Sequence, residues 1–141
     1  MSNKMRAGVI GVGAIGKNHA RIYSEIDTAE LVAVYDMDEE AAESMVSSYG
    51  GEVSNSIEEF IDLVDVVSIA TPTSTHRSIG ELLLNNNKHV LIEKPIADTT
   101  DDAQILVNLA AEKGCVLQVG HIERFNPVLG EIEERLKAVS Y

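Results

Sequence analysis

Six residues near the start of the chain, Gly11-Val12-Gly13-Ala14-Ile15-Gly16, have the spacing G-x-G-x-x-G. Each glycine in such a loop meets a separate physical need. Gly11 permits a tight turn, Gly13 lets a pyrophosphate come against bare backbone, and Gly16 lets a helix pack closely on a strand. Glycine-rich turns are common, so the motif informs only when a strand precedes it and a helix follows. Here Ala7-Gly8-Val9-Ile10 reads as a buried strand, and residues from about Ile15 to Ile26 read as a helix. The loop and first turn, from Gly11 through Ala14 and Ile15 to Gly16, then offer free amide donors and a partial positive charge to phosphate. A carboxylate, Asp36, ends the next strand-like run, 20 residues past Gly16. It can accept hydrogen bonds from adenosine ribose hydroxyls and would repel a 2′-phosphate. Met37 and Asp38 follow it, so no cation waits there for that phosphate. The combination points to dinucleotide binding, with NAD preferred over NADP.

A scaffold must hold these groups in place. The chain alternates short β-branched runs with amphipathic stretches. Strands are predicted at 7–10, Leu31–Tyr35, Val66–Ala70, His89–Ile92 and Val116–Val119. Helices are predicted at Glu39–Ser48, through Leu63 from a Ser56/Glu59 capping box, at Ser74–Asn86, Thr100–Lys113 and Val128–Val139. Asp38 suits an N-cap, Gly50-Gly51 breaks the second helix, and Gly114 stops the fifth. Parallel neighbours need crossover connections, so the alternation argues an α/β fold: a Rossmann-type, doubly wound parallel sheet with helices on both faces. Ala70, Thr71 and Pro72 fall at the carboxyl end of a central strand, where open sheets of this kind bind ligands.

At 141 residues and 45% hydrophobic, the chain can bury one core without disulfides or metals. Its single cysteine, Cys115, lies in an apolar run and reads as a core residue in a reducing, cytoplasmic compartment. No cluster has zinc-ligand spacing, and no apolar stretch approaches a membrane span. The net charge of −12 repels phosphate backbones and anionic lipids, which argues against nucleic acid or membrane as partners. Binding of an anionic dinucleotide must therefore come from the local device at the glycine loop. Past Gly120 the pattern changes, and the chain ends on a helix at Tyr141 as though cut off. The expected division is a dinucleotide-binding domain at 1–120 and the start of a second, largely absent substrate domain at 121–141.

With these features together, the chain resembles the N-terminal domain of the Gfo/Idh/MocA oxidoreductases. The resemblance rests on Gly11–Gly16, on Ala70-Thr71-Pro72-Thr73-Ser74-Thr75-His76, on Glu93-Lys94-Pro95, and on Gly120 through Pro127. It implies hydride transfer between nicotinamide and a hydroxyl of a sugar, polyol or nucleotide sugar, the nucleotide-sugar 3-dehydrogenases being the subgroup most resembled. It places Lys94 between substrate and nicotinamide, where an ammonium can polarise the reacting oxygen. Glu93 would orient Lys94 or meet the nicotinamide ribose. The Thr71-Pro72 loop would lie on the nicotinamide side, with His76 a candidate contact, and His121 and Arg124 would serve the substrate. His19 is expected to be a packing or surface residue and His89 a structural one. The resemblance also implies a homo-oligomer, and an acid–base histidine and an open sheet in the second domain. A standalone NAD-binding regulator and one subunit of a split dehydrogenase remain open beside the dehydrogenase.

Overall fold

A computed structural model describes residues 4–137 of the chain. Six strands form one sheet: β1 (Met5–Ile10), β2 (Ala29–Tyr35), β3 (Glu52–Val53), β4 (Val66–Ile69), β5 (His89–Ile92) and β6 (Leu117–Val119). Their order is β3-β2-β1-β4-β5-β6, and every pair is parallel. The order reverses between β1 and β4, which opens the crevice where doubly wound sheets bind ligands. β3 was not anticipated. A strand of two residues, pairing through Ala33↔Glu52 and Val34↔Val53, is too short to show any periodicity.

Strand alternation sends successive side chains to opposite faces, and this builds two cores. On one face Val9 and Val34 pack with Ala20 of α1 (Ala14–Glu25) and Ala42 and Met45 of α2 (Glu39–Tyr49). On the other, Ile10, Val67, Ile69, Val90 and Ile92 meet Phe60 of α3 (Ile57–Leu63), Leu83 and Leu84 of α4 (Thr73–Asn85), and Leu106 of α5 (Thr100–Lys113). The helix starts follow local chemistry. Asp38, Ser56 and Thr99 each accept a backbone N–H from the first turn of α2, α3 and α5, and Gly114 ends α5 in the left-handed conformation. Cys115, expected inside, is only half-buried at the margin of the larger core. No helix among the described residues is long and apolar enough to cross a membrane.

After β6 comes a 3-10 turn at Ile122–Phe125, then α6 (Pro127–Lys137). Val128, Leu129, Ile132, Leu136 and Val139 recur at helical spacing, an apolar stripe that predicts packing on the sheet or another apolar surface. Instead α6 packs mainly against that turn, and Val128, Leu129, Ile132 and Leu136 stand 41–66% exposed. Val139, the last member of the stripe, lies outside the described residues. The sheet is similarly bare nearby. Leu91, pointing away from the core that takes Val90 and Ile92, is half-buried, and Gln118 beside it is exposed.

Candidate cofactor and active site

The carboxyl ends of the strands are tied level by backbone hydrogen bonds just past each strand. Gly11 N donates to Tyr35 O (2.9 Å), Ala70 N to Ile10 O (2.9 Å), Glu93 N to Ile69 O (3.0 Å), and Gly120 N to Ile92 O (2.8 Å). Gly11, Ala70, Glu93 and Gly120 thus stand in one row along the edge of the sheet. Residues scattered over more than 100 positions of sequence become neighbours because parallel strands all deliver their ends to the same side.

The glycine loop has the geometry its spacing implies. Gly11 has φ +85°, a conformation that disfavours any side chain. A Cβ on Gly16 would overlap the Gly11 carbonyl oxygen, whereas a Cβ on Gly13 would meet nothing within 4 Å. The space over Gly13 is open, as the close approach of a pyrophosphate would require. The first turn of α1, including Ala14 and Ile15, has neither an acidic residue nor a side-chain cap, so its amide donors stay available for phosphate.

Asp36 stands beside this loop. Its carboxylate accepts Val12 N (2.7 Å) and Asp38 N (2.9 Å), which fixes the loop against the β2 end and leaves lone pairs free. A cavity of about 370 Å³ opens next to it, lined by Tyr35, Asp36, Met37, Val53, Ser54 and Asn55 among others, with no cationic residue in the lining. The Ser54 hydroxyl, buried there, has no hydrogen-bond partner among the described residues. These features fit the adenosine end of a dinucleotide. The residues present thus suit NAD along the whole edge from Asp36 to Lys94.

A second cavity, about 340 Å³, continues from the glycine loop between α1 and the ends of β4, β5 and β6. Ile15, His19, Thr71, Glu93, Lys94 and Gly120 line it with others. Lys94 is exposed, and its ammonium has no hydrogen-bond or ion-pair partner among the described residues. Past Lys94 a shallower cavity of about 300 Å³ is bordered by Gly120, His121, Arg124 and Leu129. The two expected substrate residues and Lys94 therefore share one opening.

Two histidines are held by contacts distant in sequence. His76 is 1% exposed, and its ring nitrogens lie 2.9 Å from the carbonyl oxygens of Pro95 and Thr71. Both polar edges are spent inside the protein, so the expected cofactor contact at His76 gives way to a clamp between the β4 and β5 loops. His19, expected to pack or face solvent, is part-buried in the lining of the second cavity. Its Nε2 meets Glu93 Oε1 at 2.9 Å and its Nδ1 meets Ser68 Oγ at 3.1 Å. Its position three residues past Gly16 was the only available signal, since partners 49 and 74 residues away leave no local trace. Glu93 does not bond the Lys94 ammonium. Its other oxygen accepts the Lys94 backbone N–H at 3.3 Å. Gly120 was given no individual role, yet a Cβ there would come 2.7 Å from Glu93 Oε1. His89 is structural as expected, its Nδ1 accepting Val116 N (3.0 Å) before β6.

Fold and site together define a dinucleotide-binding α/β domain of an oxidoreductase. Residues 5–121 match the family described as "oxidoreductase family, NAD-binding Rossmann fold", and the chain belongs to this Gfo/Idh/MocA family. It is 39% identical over 125 residues to UDP-N-acetylglucosamine 3-dehydrogenase of Acidithiobacillus ferrooxidans, covering 89% of this chain and 39% of that one. The crystal structure of that enzyme superposes with a TM-score of 0.88 and 37% identity over 94% of this chain and 43% of its own. Glucose-6-phosphate 3-dehydrogenase of Bacillus subtilis is 35% identical, covering 85% of this chain and 34% of its own. GenD2 from gentamicin A biosynthesis, solved in complex with NAD, superposes with a TM-score of 0.82 and 31% identity over 85% of this chain and 35% of its own. The chain thus spans about two-fifths of the length of the first of these relatives and a third of the second.

Proposed function

We propose that this chain is the NAD-binding half of a dehydrogenase that moves hydride between nicotinamide and a hydroxyl-bearing carbon of a sugar, polyol or nucleotide sugar. The observation that carries this reading is the position of Lys94. Lys94, whose ammonium has no partner among the described residues, lies where the cleft from the glycine loop opens into the cavity bordered by His121 and Arg124. NAD supplies the hydride acceptor. Lys94 supplies a positive charge to the substrate oxygen, favouring the negative charge that develops there as the hydroxyl proton leaves. The two curated relatives, both 3-dehydrogenases of sugar derivatives, support a sugar substrate. Residues 1–120 form the NAD domain in this reading, and 121–141 begin a second domain that brings the proton acceptor, the rest of the substrate wall and the subunit-pairing surface. The exposed stripe of α6, with the half-buried Leu91 on the sheet, supplies apolar surface that such a domain would cover. A lone cysteine suits a reducing compartment, and we place the protein in the cytoplasm.

The test uses the longer protein. Lys94→Ala should lower kcat by about 10²-fold or more, the usual cost of losing one transition-state donor, with NAD affinity nearly unchanged. Unaltered turnover would remove Lys94 from the chemistry, and a matching loss of NAD affinity would make it a cofactor anchor.

A further inference from the structure

Ser68 sits in the centre of the sheet, completely buried, in the strand Val66–Ile69. A hydroxyl buried among apolar neighbours costs stability unless its hydrogen bonds are met. Ser68 meets them on the α1 side, with Tyr23 OH at 2.8 Å and His19 Nδ1 at 3.1 Å. The line continues from His19 Nε2 to Glu93 Oε1 at 2.9 Å. The His19 and Glu93 side chains are 17% and 15% exposed, so this last contact is shielded from water.

With a neutral His19 ring, the protons in this line run one way. Burial pushes the Tyr23 phenol up, so it stays protonated, and Ser68 is the partner it has. Tyr23 O–H therefore donates to Ser68 Oγ. The single Ser68 proton is then free to donate to His19 Nδ1, which leaves the ring proton on Nε2, facing Glu93. The reverse order would set an unprotonated His19 Nε2 against the Glu93 carboxylate, two acceptors face to face.

We infer that His19 is a positioning residue, held as its Nε2–H tautomer by Ser68 and Tyr23, that fixes the Glu93 carboxylate in the nicotinamide end of the cleft. The inference rests on the reading of the Glu93–Lys94 corner as that end. Two contacts and one clearance determine where the carboxylate points. His19 takes Oε1, the Lys94 backbone N–H takes Oε2, and Gly120 leaves room that a Cβ would fill 2.7 Å from Oε1. Glu93 is the one acidic residue in the lining of this cavity, and Lys94, the one lysine there, is exposed where the cleft opens to the substrate side. A negative charge fixed there attracts an oxidised nicotinamide, which is cationic, and does little for the neutral reduced ring. Its role is to bias the pocket toward NAD over NADH.

Two measurements on the 141-residue chain test this. Without cofactor, ¹⁵N resonances of the His19 ring should show a protonated Nε2 and an unprotonated Nδ1; protonation of Nδ1 instead overturns the inference. With cofactor, calorimetry should show the NAD-over-NADH preference of His19→Leu falling by roughly three- to tenfold, the effect of loosening rather than deleting a nearby charge. His19→Gln, whose amide N–H can still reach Glu93, should keep most of the preference. Gly120→Ala, which leaves His19 in place but displaces the carboxylate, should lose it. Thermal melts establish that each variant folds. Equal losses of NAD and NADH affinity in His19→Leu would mean that His19 only supports the structure, and the inference falls. Glu93→Gln separates the two levels. If it shifts the ratio while His19→Leu does not, the role of His19 alone is overturned. If Glu93→Gln has no effect either, the nicotinamide lies elsewhere and the functional reading of this corner falls too.

Discussion

Asp36 has to bind a ribose with what two backbone amides leave over. Val12 N and Asp38 N each take one lone pair, and the carboxylate has roughly four acceptor sites. The amides therefore aim the group without exhausting it. Charge-assisted hydrogen bonds to the ribose hydroxyls would each contribute about 1.5–3 kcal/mol before desolvation is counted. A 2′-phosphate in the same place would meet a like charge, and the cavity lining offers it no cation. We expect NAD to bind at least ~10²-fold more tightly than NADP, a difference of ~2.7 kcal/mol. Calorimetric titration of both cofactors checks this on wild type and on Asp36→Ser combined with Met37→Arg, which should lose or reverse the preference. Met37 is 96% exposed, so an arginine there fits without disturbing the core. Equal affinities in the wild type would reduce Asp36 to a brace for the glycine loop.

The strand–loop–helix unit of β1 and α1 separates folding from binding at two glycines three residues apart. A methyl group on Gly16 would run into the Gly11 carbonyl, so Gly16→Ala forces helix and loop apart. It should destabilise the chain by about 1–3 kcal/mol, the usual cost of overpacking. Gly13 has φ −62° and empty space where a Cβ would go. Gly13→Ala should leave stability unchanged or raise it by up to about 1 kcal/mol, through the loss of unfolded-state freedom. Its NAD affinity should nevertheless fall, since the methyl occupies the approach of the pyrophosphate. Thermal denaturation and NAD titration of both variants give the comparison. Full NAD affinity in Gly13→Ala would mean that the open space over Gly13 is not the phosphate site.

At the scale of the whole molecule, the cofactor edge is finished and the substrate side is open. Every strand end from β2 to β6 is tied into one row. Lys94, His121 and Arg124, in contrast, are exposed, and α6 projects with its apolar stripe uncovered. Holding reactants in a productive geometry can lower a barrier by ~7–11 kcal/mol, and an open rim cannot hold a sugar that way. The 141-residue chain should therefore bind NAD but show no appreciable reduction of NAD with any sugar substrate. Steady-state absorbance of the reduced cofactor measures this. Robust turnover by the isolated chain would overturn the assignment of the substrate wall to a second domain.

What the sequence determined by itself was whatever short-range chemistry dictates. The glycine spacing, the capping residues Asp38 and Ser56, the stop at Gly114 and the strand–helix alternation are local, so the sheet and its crossovers were legible without coordinates, as was the place of Asp36 at the end of β2. Two classes of feature were not. β3 exists only because β2 offers it an edge, and two residues carry no period of their own. The roles of His19, Ser68, His76 and Gly120 depend on partners tens of residues away in sequence. His19 meets Glu93 because α1 lies across the β4 end beside β5, and His76 turns inward because carbonyls of two loops converge on it. A histidine can serve as ligand, relay or brace with equal ease. Only the tertiary structure supplies the atoms opposite its two nitrogens, and those atoms determine which role it takes.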